Sequence, residues 1–344
     1  MGFIILFGGN SFEHEISIVS AITMKKKLGD IGHFIFVDLE GRFYLIPSKD
    51  MQSKHFATYA YKKDDEVQLC HGGFAQKSLF GSKVISGIVI NLVHGKSGED
   101  GEIAALLGFY GISFIGPRIE ASAISFNKVL TKGYAEHRGV KTLPYEAFHK
   151  GDKIAINMPK PIIIKPARLG SSIGIAVVKE DKELDYALDV AFEFDDMIIV
   201  ESFIPNIKEY NIAGFGTSDG IIFSMIEEVR KNEFLDFDKK YLDFSATNKP
   251  KAADLNIDLQ ERLKGAFGAI YSDCFEGALI RCDFFIIDDE VYLNEINPIP
   301  GALASYLFDD FSGKINLLSK NLPSRKKINI TYKYISKIQA IKGK

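Results

Sequence analysis

Short apolar runs alternate with amphipathic stretches along the first third of the chain, and glycine-bearing polar turns separate them. Residues 3–7 (Phe-Ile-Ile-Leu-Phe) have the length and content of a buried strand, and Gly8-Gly9-Asn10-Ser11 follows. Ile16, Val19 and Ile22 then recur at helical spacing. Strand, glycine turn and helix in that order open a Rossmann-like unit. The Gly-x-Gly-x-x-Gly spacing of the dinucleotide fingerprint is missing, which argues against a dinucleotide-dependent oxidoreductase. Strands at 34–39 and 43–47, a buried strand at 87–93, a helix at 102–110 and a strand at 112–115 continue the unit. They close a small parallel sheet with Gly116-Pro117 as its boundary, while residues 49–83 are polar and only weakly periodic.

Beyond residue 118 the pattern changes. A helix runs through 127–132, and a strand at 161–165 enters the loop Pro166-Ala167-Arg168-Leu169-Gly170-Ser171-Ser172-Ile173-Gly174. A second strand at 175–178, a helix at 182–191 and an apolar strand at 197–200 come next. Runs 209–215 and 221–226 read as a hairpin, and 255–274 as an amphipathic helix. The stretch 227–251 is long, charged and non-periodic, the signature of a lid or a disordered segment. The expected fold class is therefore α/β at the N-terminus and α+β, with antiparallel sheets, in the second half. Three domains are expected, at 1–117, 118–204 and 205–344.

The last hairpin, 279–301, carries the densest chemistry. Alternation puts Arg281 and Asp283 on one face of its first strand, with Cys282 and Phe284 on the other. A three-residue loop at 288–290 makes Ile287 face Val291 and sets Asp283 opposite Glu295 and Arg281 opposite Asn297. A two-residue loop would turn Glu295 to the other face. Two carboxylates facing each other call for a cation, and two acids with a carboxamide suit Mg²⁺ better than zinc. Arg281 adds a planar cationic fork suited to phosphate oxygens.

At 344 residues with 46% hydrophobic and 25% charged side chains, this is a soluble globular composition. A formal charge of -3 argues against general nucleic-acid binding. Three cysteines without metal spacing point to a reduced, cytoplasmic protein. No apolar run reaches the ~20 residues that a membrane helix needs. The opening Met-Gly-Phe-Ile-Ile-Leu fits neither a signal peptide nor a myristoylation site.

Other local features stay open. Asn10 as N-cap would put Glu13 at N3 in a capping box, or else Glu13 faces a small polar substrate at the carboxyl end of the strand. Gly95-Lys96-Ser97 is no P-loop, because the first glycine of that motif would fall at Ile90. The 166–174 loop joins two strands; its N–H groups and hydroxyls suit phosphate oxygens, with Lys165 as a point charge. Residues 201–205 leave a sheet edge able to hydrogen-bond an adenine, with Phe203 and Ile204 as apolar walls.

Taken in order, seven pieces make the chain resemble the D-alanine–D-alanine ligases of the ATP-grasp superfamily. They are Gly8 to Glu13, His94 to Gly101, Lys165 to Ser172, Glu201 to Ile204, Lys240-Tyr241, Arg281 to Asp283 and Glu295 to Gly301. The resemblance implies a Rossmann-like domain followed by a two-domain ATP-grasp fold holding ATP between antiparallel sheets. It implies ATP contacts from Lys128, Lys165, Ser171, Ser172, Glu201, Phe203, Ile204, Glu209 and Lys240, the last on the lid 227–251. Asp283, Glu295 and Asn297 are implied ligands of two Mg²⁺ ions, for which Mn²⁺ substitutes. Glu13 is implied to hold the first D-alanine's ammonium, with His94 beside it, and Ser171 and Tyr241 to join Glu13 in closing the lid.

By the same resemblance, ATP phosphorylates one D-alanine carboxylate and the amine of the second attacks. Arg281 and the Gly301 N–H then stabilise the oxyanion. The family's second-substrate serine falls at Tyr306, with Ser305 one residue early, and Tyr241 favours an amino acid there. D-Alanine and ATP, a homodimer, the cytoplasm and a role in peptidoglycan synthesis complete the implied picture, with neither nucleic acid nor membrane as partner. Two other readings compete: another ATP-grasp carboxylate–amine ligase, and a nucleotide-binding module without turnover.

Overall fold

The computed structural model describes residues 2–78, 81–229, 250–324 and 326–342. Lys240, Tyr241 and most of the expected lid at 227–251 thus lie outside the described residues. The described residues form three sheets.

Phe3–Gly8 is an interior strand of the first sheet and is buried along its whole length. It pairs in parallel with Ile31–Val37 on one side and Val89–Asn91 on the other, and Phe114–Ile115 extends the parallel part. A strand covered on both faces has no reason to alternate, so 3–7 is continuously apolar. The sheet is larger than the small parallel one expected. Phe43–Ile46, Asp65–Cys70, Gly73–Ser78 and Gly81–Ile85 add antiparallel strands toward one edge. Only Val67 is buried in Asp65–Cys70, and only Ile85 in Gly81–Ile85. Edge strands with so little core face carry almost no hydrophobic period, which is why 49–83 gave no signal.

The first helix, His14–Lys27, packs Ile18, Ala21 and Met24 into the core under Phe7 and Phe36. The expected capping box at Asn10 is not formed. Glu13 is the N-cap residue itself and makes no capping bond, so its carboxylate is turned to other use. The helix expected through 127–132 is one of two, Ile119–Phe126 and Lys128–His137. Asn127 separates them and caps the second through its side chain, which accepts from the Val129 N–H at 3.0 Å.

The central sheet is antiparallel, in the order Tyr145–His149, Met197–Ser202, Ile162–Pro166, Ala176–Val178. Alternation sends Ile162, Ile164, Ile198 and Val200 toward the helix Leu184–Phe194, whose Ala187 and Ala191 share their core. Lys165 and Glu201 therefore emerge on the opposite face. The expected sheet edge at 201 needs correcting. Glu201 pairs with Tyr145 on one side and Ile163 on the other, so the chain leaves the sheet only after Ser202.

In the third sheet, Glu209–Thr217, Ile280–Ile287 and Glu290–Asn297 lie side by side. The helix Ile257–Tyr271 covers one face, packing Leu263, Phe267 and Ile270 on Cys282 and Phe284. The last hairpin has the expected register at its inner end: Arg281 opposite Asn297 and Asp283 opposite Glu295. Its tip does not. Ile287 faces Glu290, so the loop has two residues, Asp288 and Asp289, at φ 50° and 60°. Positive φ at both central positions is the turn that matches strand twist in a two-residue hairpin. Phe284 then pairs with Leu293, which leaves Asn294 as the extra residue of a β-bulge. That single residue restores Glu295 to the face of Asp283, which the two-residue loop alone would have denied it.

After the hairpin the backbone makes an uncommon turn. Ala302, Leu303 and Ala304 all adopt left-handed helical angles, with φ of 45°, 49° and 48°. Each such L-residue costs about 1–2 kcal/mol, so three in a row persist only where packing determines them. All three are buried against the first helix.

The tip generates a test. Replacing Asp289 by glycine removes a side chain from a left-handed position, and the Asp289→Gly variant should gain about 0.5–1 kcal/mol in urea unfolding. A loss of stability would contradict the two-residue turn.

Candidate active site

Loops at the carboxyl ends of the first sheet's strands meet the glycine- and serine-rich loop of the central sheet. Glu13, buried at the start of the first helix, accepts a hydrogen bond from the Ser171 hydroxyl, which joins segments 158 residues apart. Ser171 and Ser172 both sit at φ 58°, so the loop curls to present its hydroxyl side. Ser11 receives the Glu13 N–H at 3.1 Å and donates to the His94 carbonyl at 2.7 Å, tying the first glycine turn to the second. Gly95, at φ 71°, lies where a Cβ would fall 2.9 Å from a Glu13 carboxylate oxygen, so only glycine allows this approach.

Among the described residues, Glu13 Oε2 is buried without a hydrogen-bond partner. Burial pushes the Glu13 carboxyl up to about 7, and the nearby Glu99 adds to the rise. Glu99 is itself pushed up to about 8, again mainly by burial. His94 faces Glu99 through Nδ1 at 3.5 Å and Ser20 through Nε2 at 3.0 Å. Desolvation drives its imidazole down to about 4, so it is neutral at pH 7. The sequence marked Glu13 and His94 but missed Glu99, which the Gly95–Gly101 turn folds back onto them.

On the central sheet Glu201 is held between two lysines, Lys132 at 2.5 Å and Lys165 at 2.7 Å. Burial alone would raise its carboxyl, yet the two ammonium groups pull it down to about 2. Lys132 was not among the expected residues. It lies one helical turn after Lys128, and that spacing was its only signal. Lys128 donates to the Leu169 carbonyl at 2.5 Å and its backbone N–H to Ala167 at 2.9 Å, so its helix braces the serine loop. Phe203 and Ile204 follow the strand that carries Glu201, and the Phe203 N–H donates to Pro161 at 3.0 Å.

The third sheet adds the acids. Arg281 grips Asp283 with two bonds, Nε to Oδ1 at 2.7 Å and Nη2 to Oδ2 at 2.8 Å, and Asn297 Nδ2 donates to the same Asp283 Oδ2 at 3.0 Å. Burial opposes the Arg281 charge, but Asp283 beside it raises the guanidinium above its ordinary value. The charge of Glu295 acts on Lys128, Lys165 and Arg281, so cations from three elements surround this carboxylate. Glu209 accepts from the bulge residue Asn294 at 3.5 Å. Among the described residues no three His, Cys, Asp or Glu side chains gather into a metal cluster. The donor set is two carboxylates and one carboxamide, all oxygen ligands, which fits a hard divalent cation completed by a bound nucleotide.

Gly301 opens the left-handed turn, and Ser305 is buried behind it. Tyr306 donates its hydroxyl to Glu227 at 3.2 Å, while Asn211 Nδ2 reaches the same oxygen at 3.4 Å. Burial pushes the Tyr306 phenol up and the Glu227 carboxyl up as well. Glu227 is a further residue the sequence did not single out, since it heads a charged stretch with no period. Lys240 and Tyr241 fall outside the described residues.

The raised Glu13 carboxyl has a consequence for the ligand-free protein. Its folded value, about 7, lies above its ordinary 4.5. The stability it supplies is therefore complete below pH 4.5 and is lost as pH rises through 7. Such a shift corresponds to roughly 3 kcal/mol at full ionisation. The Glu13→Gln variant should melt higher than the parent at pH 8 and close to it at pH 4.5, as thermal unfolding at both pH values will read. An equal difference at both would refute the burial argument.

Comparison with known proteins follows this geometry closely. A family model described as "D-ala D-ala ligase N-terminus" matches residues 2–117, and one described as "D-ala D-ala ligase C-terminus" matches 136–312. The chain is 56% identical over 345 residues to the D-alanine--D-alanine ligase of Campylobacter jejuni subsp. doylei, covering all of both chains. It is 55% identical over 350 residues, again all of both, to the corresponding ligase of Helicobacter hepaticus. The crystal structure of D-alanine-D-alanine ligase from Helicobacter pylori superposes with a TM-score of 0.85 at 50% identity, covering 95% of this chain and all of that one. Two family models in sequence order, full-length relatives above half identity and a matching solved structure agree: the chain belongs to the D-alanine–D-alanine ligase family.

Proposed function

We propose that the chain joins two D-alanines into D-alanyl-D-alanine at the expense of ATP, releasing ADP and phosphate, and so supplies a peptidoglycan precursor. The observation that carries this reading is the meeting of three chemistries: Glu13 with its unpartnered oxygen, the serine loop with Lys128 and Lys165, and the Arg281–Asp283–Glu295 cluster. Glu13 receives the ammonium of the first D-alanine, and that cation replaces the proton which burial otherwise holds there. Ser171 and, on the lid, Tyr241 join Glu13 around this substrate, with His94 beside them. The inferred division into 1–117, 118–204 and 205–344 gives each chemistry its own domain.

Lys128 and Lys165, with Ser171 and Ser172 beside them, take the nucleotide phosphates. Glu201, Phe203 and Ile204 bound the adenine, Glu209 the ribose, and Lys240 reaches the phosphates from the lid. Asp283, Glu295 and Asn297 would hold two Mg²⁺ ions, with Mn²⁺ as substitute. Such ions neutralise a transferring phosphoryl group. The first carboxylate becomes an acyl phosphate, and the second D-alanine's amine attacks it. Arg281 and the Gly301 N–H stabilise the tetrahedral oxyanion, a contribution of about 3–4 kcal/mol per donor in other enzymes.

Ser305 and Tyr306 bound the second substrate. Because Tyr306 already bonds Glu227, it presents that side as a coupled pair rather than a lone hydroxyl. A lid over 227–251 would keep water from the acyl phosphate. The working form in this reading is a cytoplasmic homodimer. No helix of the described residues is long and apolar enough to cross a membrane.

Incubation with ATP, Mg²⁺ and D-alanine should give dipeptide by mass and stoichiometric phosphate, and L-alanine should give neither. Phosphate without dipeptide would favour another acceptor amine. The Glu295→Gln variant should keep its circular dichroism and lose at least ~100-fold in turnover, since it removes a charged ligand from the proposed metal site. Near-normal synthesis would count against the metal assignment.

A further inference from the structure

One buried hydroxyl lies outside every role given so far. Ser20 is on the first helix and essentially without solvent contact. A helical serine of this kind usually returns its hydroxyl to the carbonyl one turn back. Ser20 instead stands between two distant segments. Its oxygen accepts the backbone N–H of Ala302 at 3.1 Å, and it lies 3.0 Å from His94 Nε2. Ser20 Oγ thus bridges the Ala302 N–H and the His94 ring, whose other nitrogen, Nδ1, faces Glu99 at 3.5 Å. The result is a link from the Ala302 N–H through Ser20 to His94, with Glu99 beside the far side of the ring. Burial keeps the His94 imidazole neutral at pH 7.

The receiving end is the strained one. Ala302 is the first of the three left-handed residues, and it directly follows Gly301. The Ser20 bond thus fixes the peptide plane that joins Gly301 to Ala302, and with it the turn that leads to Ser305 and Tyr306.

We propose that Ser20 is a positioning residue for the second-substrate end of the site, clamping the left-handed turn at Ala302 to the His94–Glu99 pair of the first domain. The inference rests on the functional reading above for its substrate, but the clamp itself is a matter of structure. Through it the two halves of the site are set in a fixed relation. The hydrogen bond, not merely the packing volume, carries the effect, so a threonine should serve where an alanine fails.

The test has two arms, each run on the full chain with Ser20→Ala and Ser20→Thr. In hydrogen exchange of the ligand-free protein, Ser20→Ala should speed exchange in the 301–307 segment about tenfold, the size of one lost buried hydrogen bond, and leave the first sheet protected. In steady-state synthesis, Ser20→Ala should raise the KM for the second D-alanine by about tenfold while the KM values for ATP and the first D-alanine stay within about twofold. Ser20→Thr should restore both. Unchanged exchange in 301–307, faster exchange across the whole chain, a parallel rise of all three KM values, or a threonine variant as impaired as alanine would each overturn the proposal. Absence of dipeptide from the parent protein would sink the functional reading instead, and the exchange arm would still decide the clamp.

Discussion

A carboxylate taken out of water has to meet a cation or keep its proton, and the arrangement of this molecule follows from how each buried acid meets that demand. Glu201 is answered by Lys132 and Lys165, and Asp283 by a two-pronged Arg281. These pairs are complete within the fold. Glu13 and Glu99 are not answered in the same way, and burial raises their carboxyls to about 7 and about 8. The Glu201 and Asp283 carboxylates are therefore paired within the fold, whereas Glu13 keeps one oxygen without a hydrogen-bond partner. A cation brought to Glu13 would favour its charged form, and its binding would be coupled to release of a proton.

Backbone irregularity is concentrated in the same region. The β-bulge at Asn294, the paired positive φ of Ser171 and Ser172, and the left-handed turn at Ala302–Ala304 all lie within or next to the cluster of charges. Away from it the cores mix aliphatic side chains with aromatic clusters such as Phe7, Phe36, Phe56 and Tyr61. Strain of this kind survives where surrounding contacts over-determine it, and here the contacts come from segments distant in sequence: Glu13 for the serine loop, Ser20 for the turn.

Much of this was legible in the residues. A period of two placed Arg281 and Asp283 on one face, and the demand of two facing acids for a cation set their partners at Asn297 and Glu295, as found. The way that register arises was not legible. A loop of two residues and a bulge give the same inner pairing as a loop of three, and side-chain chemistry at 281–297 cannot distinguish them. The edge strands between 65 and 85 were silent because they bury too few side chains to leave a period. Lys132, Glu99 and Ser20 were missed for a different reason. Lys132 and Ser20 act through partners remote in sequence, 282 residues away for Ser20 and Ala302. Glu99 reaches Glu13 only through the turn after His94, and a charge or hydroxyl gives no local sign of what will be folded against it.

The bulge at Asn294 separates two jobs that a plain hairpin would force on one stretch of chain. The outer turn at Asp288-Asp289 answers only to strand twist, and the inner pairs only to the charges they hold. Because the extra residue absorbs the mismatch between them, the outer turn is a natural insertion point: a short reporter peptide spliced there would ride on solvent-facing backbone without rotating the acids that lie several residues inward.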